Sequence, residues 1–171
     1  MQDKELIYII NSFCILGGLM KNISKILYLP LEVNREMTFM LFNYNNIDKL
    51  IEERKDELID KMKISKTAYL KSIKQSNNIL EDIIIKFEDD SKIKRFKIWQ
   101  NLINKFMSSL YDEEDRLYYL IMKYKYQDKL TEEFIRDKTN LDELELREID
   151  IYLKWVLYQY AIKVELYKED E

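Results

Sequence analysis

The chain has 171 residues, of which 47% are hydrophobic and 35% charged, and its formal net charge is -4. A chain of this length and apolar content can fill one core without disulfides or metals. Its mixed charges indicate solubility rather than a surface that binds nucleic acid over its whole extent. Because there is no histidine and no glycine-rich phosphate loop, histidine-dependent catalysis, histidine-containing zinc sites and nucleotide-loop chemistry are excluded, so we expect no enzyme and no cofactor.

Turn-forming residues are scarce, with two glycines and one proline in the whole chain. Tight β-hairpin turns depend on such residues, so the sequence favours helices joined by short polar loops. We predict an all-α multi-helix bundle that forms a single helical domain over residues 1–171. The alternative is a division into N-terminal helices over 1–74 and a second helical module over 79–171, joined by a polar linker at 75–78.

The N-terminal segment contains an apolar stretch, Leu6–Leu19, that is shorter than the roughly 20 residues a membrane-spanning helix needs. Acidic residues flank the first lysine and no small-residue cleavage pattern follows, which does not fit a signal peptide. The lone Cys14 lies in the apolar run and fits a buried thiol in a reducing compartment. We therefore expect no membrane segment and a cytoplasmic location.

Apolar residues at helical spacing predict the first elements in chain order. Residues 4–29 are predicted to form one or two helices, which Pro30 is expected to end because proline disfavours helix in its predecessor. Asn34 is predicted to cap a long amphipathic helix that runs to about Lys63. A short helix follows from Ser65.

Five further helices are predicted in the second half of the chain. The first carries an apolar stripe that ends at Phe87, and the next begins after Ser91. The last three are capped by Asp112, Thr131 and Asp142. Because the final helix has two apolar lines, it is expected to lie in the centre of the bundle. The alternative is that it packs against a second copy in a homodimer.

Basic and aromatic residues interleave at the start of the helix that follows Ser91. This pattern is typical of a surface that contacts a nucleic-acid backbone. The alternative is that the aromatic residues fill the core and the lysines are their solvated neighbours. The charge is also segregated, since 61–105 has eleven basic against five acidic residues and 111–171 has ten against seventeen. The interleaved residues are Lys92, Lys94, Arg95, Phe96, Lys97 and Trp99.

The segment from Leu102 to about Leu153 resembles the phage-encoded ArpU and RinA group of transcriptional regulators, whose C-terminal part is a sigma-like helix-turn-helix. That group often has a short acidic cap followed by an arginine and an aromatic-rich helix, then a Leu-Thr pair and an isoleucine before the DNA-reading helix. Thr38–Arg54 is similar to an N-terminal helix of some of these proteins. The counterparts of the C-terminal pattern are Asp112–Asp115, Arg116, Tyr118, Tyr119, Leu130, Thr131 and Ile135.

The resemblance implies a degenerate sigma-like helix-turn-helix near the C-terminus. It is degenerate because Arg136 stands where a small residue is usual and no glycine marks the turn at Thr139–Leu141. The implied function is a phage or prophage transcription regulator that binds DNA or RNA polymerase without a cofactor. The candidate phosphate contacts are Lys92, Lys94, Arg95 and Lys97, with Arg116, Arg147 and Lys154 as further candidates.

A second functional class stays open because the would-be recognition helix is acidic. Carboxylates repel phosphates, and only occasional ones read cytosine. The chain is then an acidic helical protein-interaction module, for instance an inhibitor of a nucleic-acid-binding protein, without DNA binding of its own. The acids that favour this interpretation are Asp142, Glu143, Glu145, Glu148 and Asp150.

Overall fold

The computed structural model describes residues 27, 29–62, 78–111 and 115–167, and all regular structure in these ranges is helical. The all-α prediction is confirmed. A membrane-spanning helix, which needs both length and low polarity, is not found among the helices of these ranges. Seven helices follow in chain order: α1 Leu31–Phe42, α2 Ile47–Lys61, α3 Asn78–Asp89, α4 Ser91–Ser109, α5 Arg116–Met122, α6 Glu132–Thr139 and α7 Glu143–Lys163.

Two short segments connect these helices, a 3-10 turn at Tyr44–Asn46 and a π-helical turn at Lys123–Gln127. Several sequence predictions lie outside the described residues. They concern the helix or helices over 4–29 except at residues 27 and 29, which are described and not helical, together with Cys14, the short helix after Ser65, most of the linker at 75–78, and the cap at Asp112.

The first amphipathic helix differs from its prediction at both ends. Pro30, not Asn34, occupies its N-cap position, and Asn34 donates its backbone N–H to the Pro30 carbonyl from inside the first turn. The predicted long helix to Lys63 is also wrong, because it breaks after Phe42. The Phe39 carbonyl accepts both the Asn43 side-chain amide at 2.8 Å and the Asn43 backbone N–H at 3.0 Å, and the chain then makes a 3-10 turn before α2 begins.

Three helix starts follow the capping chemistry of the sequence. Asp90 accepts hydrogen bonds from the first backbone N–H groups of α4, one residue earlier than the predicted start. Thr131 caps α6 through the Phe134 N–H, as predicted. Asp142 begins α7 with a capping box, in which it and Glu145 accept each other's backbone N–H. The predictions for α6 and α7 are confirmed.

The longest helix, α7, packs against α1, α4, α5 and α6. Its buried residues surround most of the helix, which agrees with the two apolar lines in its sequence. One hydrophobic cluster joins all the described helices, from Met37 in α1 through the fully buried Trp99 in α4 to Leu157 in α7. The α4 helix therefore lies with its apolar side on the core and its other side exposed.

The turn between α6 and α7 depends on a left-handed residue, Asn140, with φ 56° and ψ 32°. Asparagine adopts this conformation more easily than residues with larger or branched side chains. We expect Asn140→Ala to lower the free energy of unfolding by about 1 kcal/mol, while Asn140→Gly causes no comparable loss. Urea denaturation with an unchanged m-value measures the difference. An equal loss in both variants would show that backbone conformation is not the reason for asparagine here.

Candidate nucleic-acid interface

The α4 helix carries five cations and no carboxylate over 19 residues. Its inward side holds Trp99, which is fully buried, and Phe96, which is half-buried, so these aromatic residues belong to the core rather than to a stacking surface. Its outward side is polar and basic. At 3.6 residues per turn, six exposed polar side chains fall within an arc of about 100°, while the exposed Ser91 and Lys92 at the start of the helix lie outside it. The six are Lys94, Lys97, Asn101, Asn104, Lys105 and Ser108.

We name Lys94, Lys97, Asn101 and Lys105 the α4 basic face. At 1.5 Å per residue it is about 16 Å long between its first and last lysines. Lys105 stands apart from the basic run in the sequence, so that run does not indicate it. Its distance of eleven residues from Lys94, close to three helical turns, is the signal that places it on the same face.

Lys92, Lys94 and Arg95 line an open groove of about 640 Å³ at the start of α4. Two of the groove's four cations are tightly bound to carboxylates. Arg54 contacts Asp90 at 2.8 Å, and its hydrogen bonds hold the pKa of Asp90 below the ordinary 3.8. The groove is lined by Arg54, Ser91, Lys92, Lys94, Arg95, Ile98, Glu165 and Leu166.

Arg95 is held by Glu36 of α1. Its Nε and Nη2 atoms both donate to the Glu36 carboxylate, which also accepts from Trp99 Nε1 at 3.1 Å and from the Tyr167 hydroxyl. Burial raises the pKa of Glu36, but the hydrogen bonds from Arg95, Tyr167 and Trp99 outweigh it and leave the pKa below 4.5. Arg95 therefore ties α4 to α1 and to the end of the described chain.

Lys154 points inward in a second charged cluster. Its ammonium lies 3.1 Å from the buried Asp150 carboxylate, which also contacts Lys125 at 3.2 Å and accepts a hydrogen bond from Tyr126. The Lys154 side chain is 13% exposed. This cluster joins α7 to the π-helical turn, since Lys125 and Tyr126 both belong to that turn.

The acidic face predicted for the start of α7 is shorter than the sequence indicated. Asp142, Glu143 and Glu145 are exposed beside the exposed Arg147. Glu148 and Asp150, by contrast, are 4% and 6% exposed. The prediction of a surface with five carboxylates is therefore wrong, because α7 is buried around most of its circumference from Leu146 onward.

Arg116 lies at the start of α5, where it is exposed and lines a cleft with Tyr111, Tyr119 and Lys123. The seven cations singled out in the sequence therefore do not form one surface. Four of them lie on α4, Arg116 lies on α5, and Arg147 and Lys154 lie on α7. Within the described ranges, no three acidic or cysteine side chains form a group that could hold a metal ion.

No family model matches the chain, and no match was found among curated proteins or among solved structures.

Proposed function

We propose that this protein is a transcription regulator that binds nucleic acid, with the α4 basic face as its phosphate-contacting surface. The observation that carries the proposal is an exposed helix face with three lysines and, along the whole helix, no carboxylate. Lysines that contact phosphates release condensed counterions, which makes such a surface bind nucleic acid without sequence preference. The proposal involves no catalysis and no cofactor.

The exposed ion pair of Lys94 in the α4 basic face supports this role. Lys94 contacts Asp89 at 3.3 Å, with the two side chains 55% and 74% exposed. Ion pairs between exposed groups contribute little to stability, so a phosphate can replace Asp89 at low cost. Lys92 is exposed as well, but its place in the helical turn puts it on the side of α4 opposite the basic face, 6.0 Å from the centre of the Phe96 ring, so it does not belong to that face.

The C-terminal helices have a different part in the proposal. The resemblance to the ArpU and RinA group assigns α6, the turn at Asn140 and α7 to a sigma-like helix-turn-helix. The left-handed Asn140 supports this assignment, since it takes the role that glycine has in many such turns. Because the exposed start of α7 is acidic, we assign this module to contact with RNA polymerase and assign phosphate contact to α4. Such a phage or prophage regulator acts in the cytoplasm.

The proposal predicts a change in the salt dependence of binding. We expect wild-type protein to bind the DNA around its own gene at low salt, and a triple variant with Lys94, Lys97 and Lys105 changed to alanine to bind much more weakly. The slope of log K against log salt is negative, and each lost phosphate contact makes it shallower by about 0.9. The loss of three contacts therefore makes it shallower by roughly 3. Fluorescence anisotropy titrations over a salt series measure both quantities.

A matched triple variant tests whether the position of the lysines matters. Lys49, Lys86 and Lys163 are exposed on α2, α3 and α7, so changing them to alanine removes the same charge elsewhere. We expect this control to keep most of the affinity and slope. Equal losses in the two triple variants would contradict the assignment to α4, and no binding by wild type at low salt would contradict the function.

The acidic module remains the second candidate function. Its support is the exposed start of α7, where Glu143 and Glu145 flank Leu144, which is 48% exposed although apolar. Such a combination suits a basic protein partner. If this function is correct, wild type binds no nucleic acid at low salt. Wild type instead retains a protein from bacterial lysate after nuclease treatment, and Glu143→Lys does not retain it.

A further inference from the structure

Two clefts meet at a pair of tyrosines beyond the C-terminal end of the α4 basic face. The rings of Tyr111 and Tyr119 are 5.3 Å apart and nearly perpendicular. Tyr111 is 72% exposed, so a large part of its ring is open to a ligand. Both tyrosines line each cleft, which means that the pair stands between the two.

The first cleft, which we name the amide cleft, has a volume of about 450 Å³. That lies within the range of small-ligand sites. Side-chain amides and hydroxyls supply its polar groups, and the Tyr44 hydroxyl donates a hydrogen bond to Oδ1 of the Asn104 side chain. The amide NH2 of Asn104 therefore remains as the donor for a ligand. The cleft is lined by Tyr44, Asn104, Met107, Ser108, Tyr111, Tyr119 and Gln127.

The second cleft, which we name the basic cleft, has a volume of about 430 Å³ and contains Arg116 and Lys123. The described residues that line it include no carboxylate. An arginine and a lysine on one side of an aromatic pair, with neutral amides on the other, match the two halves of a nucleotide. Amides suit the edge of a base, and the cations suit its phosphate.

The π-helical turn places a residue in each cleft. Lys123 lines the basic cleft and Gln127 lines the amide cleft, while Tyr126 between them points inward to Asp150. π-Helical turns occur frequently at functional sites. The amide cleft is also continuous with the α4 basic face, because Asn104 lies next to Lys105 and shares the outward arc of the helix.

We propose that these clefts bind one nucleotide of a single-stranded nucleic acid, with its base against Tyr111 in the amide cleft and its phosphate at Arg116 and Lys123. The rest of the strand follows the α4 basic face, so this inference rests on the proposed function. Single-strand binding sites combine a basic track with aromatic side chains on which bases stack, and this surface has both. A base in a duplex is paired and stacked, so it can enter a cleft only at the cost of unpairing and unstacking.

The test compares a labelled 12-nucleotide DNA strand of mixed sequence with its duplex. We expect wild type to prefer the single strand. Tyr111→Ala is expected to weaken single-strand binding by roughly 5- to 150-fold, the range for loss of one stacked base, with duplex affinity changed less than about twofold. Tyr111→Phe keeps the stacking ring and is expected to keep the affinity. Because Tyr111 is exposed, neither change is expected to affect folding, which circular dichroism checks.

The outcomes separate this inference from the proposed function. One outcome overturns the nucleotide site alone: duplex binding depends on the lysines of the α4 basic face, and Tyr111→Ala binds the single strand as tightly as wild type does. No binding of either DNA overturns both proposals. A final experiment adds free dAMP as a competitor at the same concentration as the strand, and we expect it not to displace the strand. Full displacement overturns the assignment to a strand, because it shows that the α4 basic face adds nothing.

Discussion

Replacing Asp150 with alanine is expected to lower the free energy of unfolding by about 3 to 5 kcal/mol, the range for removal of one partner from a buried ion pair. Asp150 is 6% exposed and contacts Lys125, Lys154 and Tyr126. Without its carboxylate, Lys154 loses its partner at 3.1 Å and Lys125 keeps Glu132 at 3.4 Å, while the two lysine side chains are only 13% and 18% exposed. Urea denaturation followed by circular dichroism measures the loss.

Two controls belong to this experiment. Asp137 is exposed on α6, so Asp137→Ala is expected to change stability by no more than about 0.5 kcal/mol. Asp150→Asn keeps an acceptor for the Tyr126 hydroxyl but loses the charge. Its loss in the free energy of unfolding is expected to fall between the losses in Asp137→Ala and Asp150→Ala. A loss below about 1 kcal/mol in Asp150→Ala would contradict the role of this carboxylate in holding the π-helical turn against α7.

Glu36→Gln is expected to lower the free energy of unfolding by about 2 to 3 kcal/mol at neutral pH, a typical value for hydrogen bonds to a charged group. The Glu36 carboxylate accepts from Arg95, Trp99 and Tyr167, and so links α1, α4 and the segment after α7. The side chain is 29% exposed, so part of the ionic attraction is screened by water. Chemical denaturation of the two proteins at several pH values measures the difference.

The pH dependence of this difference follows from the pKa of Glu36. Burial raises that pKa, the hydrogen bonds and the Arg95 charge lower it, and the net pKa is below 4.5. The stabilisation is therefore fully present above pH 4.5 and is lost as the pH falls through the lowered pKa of the folded state. Wild type and Glu36→Gln should converge in stability in acid. A difference that stays constant as the pH falls would contradict the role of the ionised carboxylate.

The helices could be predicted from the sequence where local chemistry decides them. Trp99, Leu102 and Phe106 follow helical spacing and lie on the core, and Thr131 and Asp142 cap the helices that they were predicted to cap. Each of these features depends on residues within one or two turns of each other. Periodicity and capping therefore establish the all-α class.

The features that could not be predicted depend on residues far apart in the sequence. Asp150 falls in the acidic pattern of the sequence. Its contact with Lys154, four residues on, is local, but Tyr126, 24 residues away, and the neighbouring Lys125 are not. Arg95 was assigned to phosphate contact, whereas its partner Glu36 is 59 residues away. The amide cleft joins Tyr44 to Asn104 across 60 residues, so no local pattern indicated it.

The most direct test of nucleic-acid binding by this surface is a residue-resolved titration. Amide chemical shifts of the isotope-labelled protein are measured by NMR while the 12-nucleotide single strand is added at low salt. The account predicts that the largest changes occur in α4 from Lys94 to Ser108, at Tyr111 and Tyr119, and at the π-helical turn. Changes confined to α6 and the start of α7, or no changes at all, would contradict it.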